Sequence, residues 1–188
     1  MTEAEAIEAL QRGSADGMEF LMAEHEVAAR RLAYTITGNG ATADDVVAEA
    51  FLRVWRHIGR FERGRRFGPW FLKIVANEAL QATRRARRGE RLLALVGRQR
   101  VPSPDPTEVV EANAVRSRVI EAVRTLPPNE RAAVTLRYLL DMDERSVAET
   151  LGWPLGTVKT RLHRARAQLR DRLGEELRMG RPQEEQAR

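Results

Sequence analysis

The sequence predicts an all-α protein of two small helical units joined by a flexible linker. Three observations carry that reading. Apolar residues recur at i, i+4, i+7 and i+11, as in Val47, Phe51, Val54 and Ile58 and again in Val158, Leu162, Ala165 and Leu169. Alanine, arginine and glutamate are abundant and favour helix, while no alternating run of β-branched and aromatic residues is long enough for a sheet. Between the periodic halves lies Val101-Pro102-Ser103-Pro104-Asp105-Pro106-Thr107, which cannot continue a helix.

The net charge of +5 is unevenly placed: residues 1–50 carry −7, 51–100 carry +11, 101–150 carry −3 and 151–188 carry +4. Two basic stretches predict two contacts with a polyanion, and the acidic front predicts a different, protein partner. The absence of cysteine excludes disulfides, thiol catalysis and a cysteine zinc site. His25, His57 and His163 have no ligand spacing such as H-E-x-x-H. Glu62, Glu78 and Glu90 are the acidic residues of the 51–100 stretch, too few for a nuclease's carboxylate cluster. A binding protein without catalytic residues, metal or cofactor is expected. No apolar run approaches the ~20 residues of a membrane span. The N-terminus is acidic, so no secretory signal or membrane insertion is expected and the compartment is the cytoplasm.

In order along the chain, Thr2 and Glu5 form a capping box ahead of a short helix over 3–10. A helix over 18–37 uses Phe20, Leu21, Val27, Ala28, Leu32 and Ile36 as its apolar set, and Gly38-Asn39-Gly40 stops it. Thr42 is the expected N-cap of the next helix, with Asp44 and Asp45 in its first turn. That helix ends near Ile58, and Trp55 beside its stripe divides evenly between core and surface. Residues 60–68 form a basic loop with interleaved Phe61 and Phe67, and Pro69 opens the following helix. Lys73, Asn77, Gln81, Arg84 and Arg88 share one face there. Aromatics and cations together suit unpaired bases as well as phosphates. Residues 89–112 are the predicted linker. Helices over 109–124, 129–140 and 144–151 follow, then a turn at Gly152. The last helix is apolar on one face and cationic elsewhere, giving a helix-turn-helix with a basic second helix. A polar, fraying tail is expected over 175–188.

With these features in place the chain resembles a known family. Three stretches carry the resemblance: Asp44 to Arg56, Trp70 to Asn77 with Arg84-Arg85, and Leu126-Pro127-Pro128 through Gly156-Thr157-Val158-Lys159-Thr160-Arg161 to Arg166. Together they resemble the extracytoplasmic-function (ECF, sigma-70 group 4) RNA polymerase sigma factors, which consist of a sigma2 and a sigma4 domain. The resemblance implies a sigma2-like domain over 1–88, the linker 89–112 threading toward the polymerase active-site channel, and a sigma4-like domain over 113–174. It implies that Asp45, Glu49, Leu52, Arg53, Trp55 and Arg56 dock on core RNA polymerase. The loop Phe61–Phe67, with Arg63, Arg65 and Arg66, and the helix residues Lys73, Asn77, Arg84, Arg85 and Arg88 would hold promoter DNA at the −10 element, including its unpaired strand. Thr157, Lys159, Thr160, Arg161, Arg164 and Arg166 would meet the −35 duplex, with Arg161 and Arg164 nearest the bases. An anti-sigma factor is the expected inhibitory partner, and association with the nucleoid through polymerase follows. The chain departs from the family at Ala48, where many members carry Gln, at Gln81, where many carry Asp, and at Leu155, where a polar residue is frequent. A helix-turn-helix regulator acting on duplex DNA without polymerase is the alternative, although nothing in the N-terminal half reads as its ligand or receiver domain.

Overall fold

The computed structural model describes residues 1–62, 64–95 and 114–179, and within them eight α-helices and no strand. Thr2 caps α1 (Glu3–Gln11) as the capping box requires. The Thr2 N–H donates to Glu5 Oε2 at 2.8 Å and the Glu5 N–H donates to Thr2 Oγ1 at 3.3 Å. The bond from the Thr2 backbone holds the Glu5 carboxyl below its ordinary value. Helix α2 (Asp16–Thr37) begins where it crosses α1, and a Cβ on Gly17 would collide with the Ala6 carbonyl oxygen. Only glycine permits that approach.

Helix α3 (Gly40–His57) starts a turn earlier than expected. Gly38 takes the left-handed conformation at φ 75°, which leaves extended Asn39 to accept from the Thr42 N–H at 2.8 Å. Asparagine caps at least as well as threonine, so Asn39, not Thr42, is the N-cap. A short 3-10 turn, Ile58–Arg60, precedes the basic loop.

Helix α4 (Phe67–Leu95) is the longest. Pro69 lies in its first turn, where a missing N–H costs nothing. The helix runs through Gly89 into the stretch expected to be linker. One glycine costs about 1 kcal/mol relative to alanine, less than its helix-favouring neighbours supply.

The C-terminal unit begins with α5 (Ala114–Thr125) and α6 (Pro128–Val134). The helix expected over 129–140 widens after α6 into a π-helical turn, Thr135–Leu139, closed by Leu140 N–H to Thr135 O at 3.0 Å. Asp143 caps α7 (Glu144–Leu151) through the Ser146 N–H at 2.7 Å. Gly152 turns the chain at φ 66° into α8 (Leu155–Met179), which continues past Gly174 into the stretch expected to fray. The rest of the predicted linker, 96–112, the start of the helix expected over 109–124, and the tail over 180–188 lie outside the described residues.

Leu21, Leu32, Ile36, Val54, Phe67, Phe71 and Val75 fill the core of the first unit, and Leu136, Val147, Val158 and Leu162 that of the second. Val27, expected in the apolar set of α2, instead faces solvent. The two units share one continuous core, with α7 packed on α4 and with α5 and α6 packed on α2.

Candidate nucleic-acid interface

On α3 the buried stripe Val47, Phe51 and Val54 turns the rest of the helix outward. Leu52 and Trp55 are 49% and 45% exposed, the Trp55 question thus going to the surface side. Charged residues frame them: Asp45 is exposed, Glu49 sits 3.6 Å from both Arg53 and Arg56, and Arg53 reaches across to Glu78 of α4. Glu78 is only 6% exposed, and the 2.9 Å approach of Arg53 Nη2 to its Oε1 is a charge contact off hydrogen-bond alignment. Arg53 is thereby held from behind by a carboxylate that water scarcely reaches.

Helix α4 buries Phe71, Val75, Ala76, Ala79 and Leu80 and leaves Lys73, Asn77, Arg84, Arg85 and Arg88 exposed, so one cationic strip runs along its outer side. Gln81 accepts from Arg85 at 3.2 Å. Arg65 and Arg66 are exposed in the loop ahead of it, and Arg63 lies outside the described residues.

The loop aromatics belong elsewhere than expected. Phe61 and Phe67 are buried, within 5.9 Å of one another, and Phe67 stacks on Phe71 at 5.7 Å. They form the wall of the core and have no face to offer a base. Trp70, half-buried between them and the surface, is the aromatic that reaches the strip. It lines a groove of about 470 Å³ with Arg65, Arg66, Pro69 and Lys73. Sequence reasoning did not select Trp70 as a site residue, although its position three residues before Lys73 puts the two on one face.

The far wall of that groove is Ser146 and Glu149 of α7. Lys73 Nζ comes within 3.5 Å of where a Cβ on Gly152 would stand. A carboxylate of the second unit therefore lies beside the cationic strip of the first.

Helix α8 buries Val158, Leu162 and Ala165 and exposes Lys159, Thr160, Arg164 and Arg166, with Thr157 half-buried. Gly156, Thr157, Thr160, Arg161 and Arg164 line one shallow concavity of about 240 Å³ at its start. Arg161 differs from its neighbours. Its Nη1 pairs with Glu130 Oε1 of α6 at 2.9 Å, and its guanidinium lies 4.9 Å from the Trp153 ring centroid. Glu130 is buried, so Arg161 joins α8 to α6 and leaves only part of its side chain exposed. The histidines are dispersed: His25 contacts Glu3 at 3.1 Å, and His57 and His163 are exposed.

A helix-turn-helix with a cationic second helix, joined to a helical bundle with its own cationic strip, is an arrangement suited to two contacts with nucleic acid. The sigma-70 region 2 model matches residues 21–89 and the sigma-70 region 4 model matches residues 116–169. ECF RNA polymerase sigma factor SigE of Mycolicibacterium smegmatis is 35% identical over 155 residues, 81% of this chain and 60% of SigE. RNA polymerase sigma factor CarQ of Myxococcus xanthus is 31% identical over 170 residues, 90% of this chain and 96% of CarQ. The fold is similar to that of the sigma factor RpoE solved with the anti-sigma factor NepR from Bartonella quintana, with a TM-score of 0.69, 22% identity, and coverage of 83% of this chain and 96% of that one. The chain belongs to the sigma-70 family, as an RNA polymerase sigma factor of the ECF type, the class of subunit that directs transcription initiation. No helix among the described residues is long and apolar enough to cross a membrane.

Proposed function

We propose that this chain docks on core RNA polymerase through α3, grips the −35 duplex with α8 and captures the opened −10 strand with α4, without chemistry of its own. The pair of exposed apolar side chains on α3, Leu52 and Trp55, carries the reading. Covering the exposed half of each against a partner is worth roughly 1 kcal/mol, and the frame Asp45, Glu49, Arg53 and Arg56 sets the register. Lys73, Asn77, Arg84, Arg85 and Arg88, with Arg65 and Arg66, supply phosphate contacts at −10, and Arg63 belongs to the same loop. Stacking of an unpaired base on Trp70, worth about 1–3 kcal/mol, offsets the few kcal/mol needed to unstack a base step. At −35, Lys159, Thr157 and Thr160 hold phosphates, Arg164 and Arg166 approach the groove, and Arg161 acts mainly by fixing α8.

In the packed arrangement Glu149 and Gly152 stand beside Lys73 at the edge of the strip, so the two units part before DNA seats along it. An anti-sigma protein, the kind of partner with which RpoE of Bartonella quintana was solved, would act by holding the units in the packed state. Work beside polymerase places the protein in the cytoplasm, on the nucleoid. In vitro transcription with purified core polymerase across a promoter library tests the reading. Promoter-dependent transcripts that require this chain are expected. Duplex binding without any such transcript would instead make it an ordinary helix-turn-helix regulator.

A further inference from the structure

The groove between α4 and α7 holds charges of both signs that do not neutralise one another. Arg66 and Lys73 line it from the first unit and Glu149 from the second, yet among the described residues no ion pair joins either cation to that carboxylate. Arg65, in the same wall, lies 3.7 Å from Glu62 and is already partnered. Opposite charges that share a groove and stay apart leave room for a group that answers both. Trp70 lines the same space. Its ring is tilted onto Phe61 at 4.9 Å and onto Phe67 at 5.6 Å, and both of those are buried. The indole is therefore held in place before anything binds, which lowers the ordering cost of binding.

Each of these groups asks for a different chemical feature. A flat ring suits the indole. Phosphoryl oxygens suit Arg66 and Lys73. Glu149 can only accept hydrogen bonds, so it repels phosphate and needs a donor. Guanine carries adjacent donors, N1–H and the 2-amino group, spaced for the oxygens of one carboxylate, and adenine has no such pair. The groove of about 470 Å³ is of the size usual for small-molecule pockets, about 300–1,000 Å³.

We propose that this groove binds a guanine nucleoside diphosphate, its base stacked on Trp70 and paired with Glu149, its phosphates on Arg66 and Lys73. The ligand touches α4 and α7 at once, so it stabilises the packed arrangement. It also occupies the indole and the cations that an opened strand would use, a consequence that rests on the function proposed above for α4.

The test is calorimetric titration of the full chain with GDP, ADP and pyrophosphate, with thermal melts in parallel. GDP should bind saturably, about tenfold or more tighter than ADP or pyrophosphate, and should raise the melting temperature. Glu149→Ala should bring GDP down to the affinity of ADP, and Lys73→Gln should weaken both nucleotides about tenfold. Both side chains are exposed, so neither change disturbs the core. Equal affinity for GDP and ADP, or a preference that survives Glu149→Ala, would overturn the assignment. Pyrophosphate as tight as GDP would reveal a bare cation cluster and overturn it too. A guanine-containing single strand of about ten bases is the last arm, expected to compete with GDP and to bind without help from Glu149. If Glu149→Ala weakens the strand as much as it weakens GDP, the groove reads DNA rather than a free nucleotide, and the proposal fails. These titrations contain no polymerase, so their failure leaves the transcription test of the proposed function untouched, and a missing transcript leaves the GDP result standing.

Discussion

Removing the Arg161 guanidinium would leave the Glu130 carboxylate buried between α6 and α8 without its partner. Arg161→Ala should therefore cost about 3 kcal/mol of stability, read from urea denaturation, because a broken buried pair leaves an uncompensated charge. Weaker −35 binding in that variant would then report a displaced helix as much as a missing side chain at the DNA. Lys159→Ala and Arg164→Ala separate the two effects, since both side chains are exposed. Each should leave stability within about 0.5 kcal/mol of the parent and lower the salt slope of duplex binding by about one unit for each phosphate no longer neutralised. An unchanged slope in both would remove α8 from the interface. At Asp143 the prediction concerns pH. Its bond from the Ser146 N–H lowers its carboxyl below the ordinary value of 3.8. A depressed folded value gives stability that is complete above the unfolded value and lost as pH falls through the folded one. The start of α7 should therefore hold through mildly acid conditions and loosen below about pH 4, while Asp143→Ala should lack that step in a pH-dependent melt.

Helices as elements were legible wherever an apolar stripe met a short cap, as at Thr2 or in the Val158–Leu169 row. Their ends were less so, because the competing signals there differ by little. Asn39 and Thr42 cap almost equally well, and only the left-handed turn at Gly38 decides between them. Gly89 and Gly174 read as stops, but a single glycine is too weak a breaker to end a helix rich in Arg, Leu and Ala. Phe61 and Phe67 looked like bases' partners because composition cannot tell an aromatic facing solvent from one packed on Phe71 and Trp70. The cationic side chains of α4 and α8 were legible because charge on a helix facing away from its apolar stripe has nowhere else to go. Helix α3 makes the corresponding prediction for polymerase. Leu52→Ala with Trp55→Ala should lower affinity for core polymerase by about 10- to 100-fold while leaving the melting temperature nearly unchanged, as both side chains stand outside the core. Affinity unchanged in a fluorescence titration would place the docking surface elsewhere.

The packing of the two units on one another belongs to the whole molecule and left no local trace in the sequence, since it depends on contacts such as Arg124 with Gly38 and Tyr34, far apart along the chain. A chain without cysteine lets that packing be tested against no background. A disulfide introduced by Pro69→Cys with Glu149→Cys would join opposite walls of the groove between α4 and α7 and keep Trp70. Oxidation should abolish permanganate reactivity at −10 and reductant should restore it; reactivity that persists in the oxidised form would show that the strip works while covered. On the proposed function, the packing of α7 beside Lys73 would also act as a dial common to every promoter. If the open form is a fraction f of the molecules, each promoter's apparent dissociation constant is its intrinsic one divided by f. Loosening the joint, as Arg124→Ala would, raises occupancy at weak and strong promoters by the same factor while none is saturated. On that reading the contact between α7 and α4 would govern how loudly a set of promoters is read and would leave their order of preference to α8.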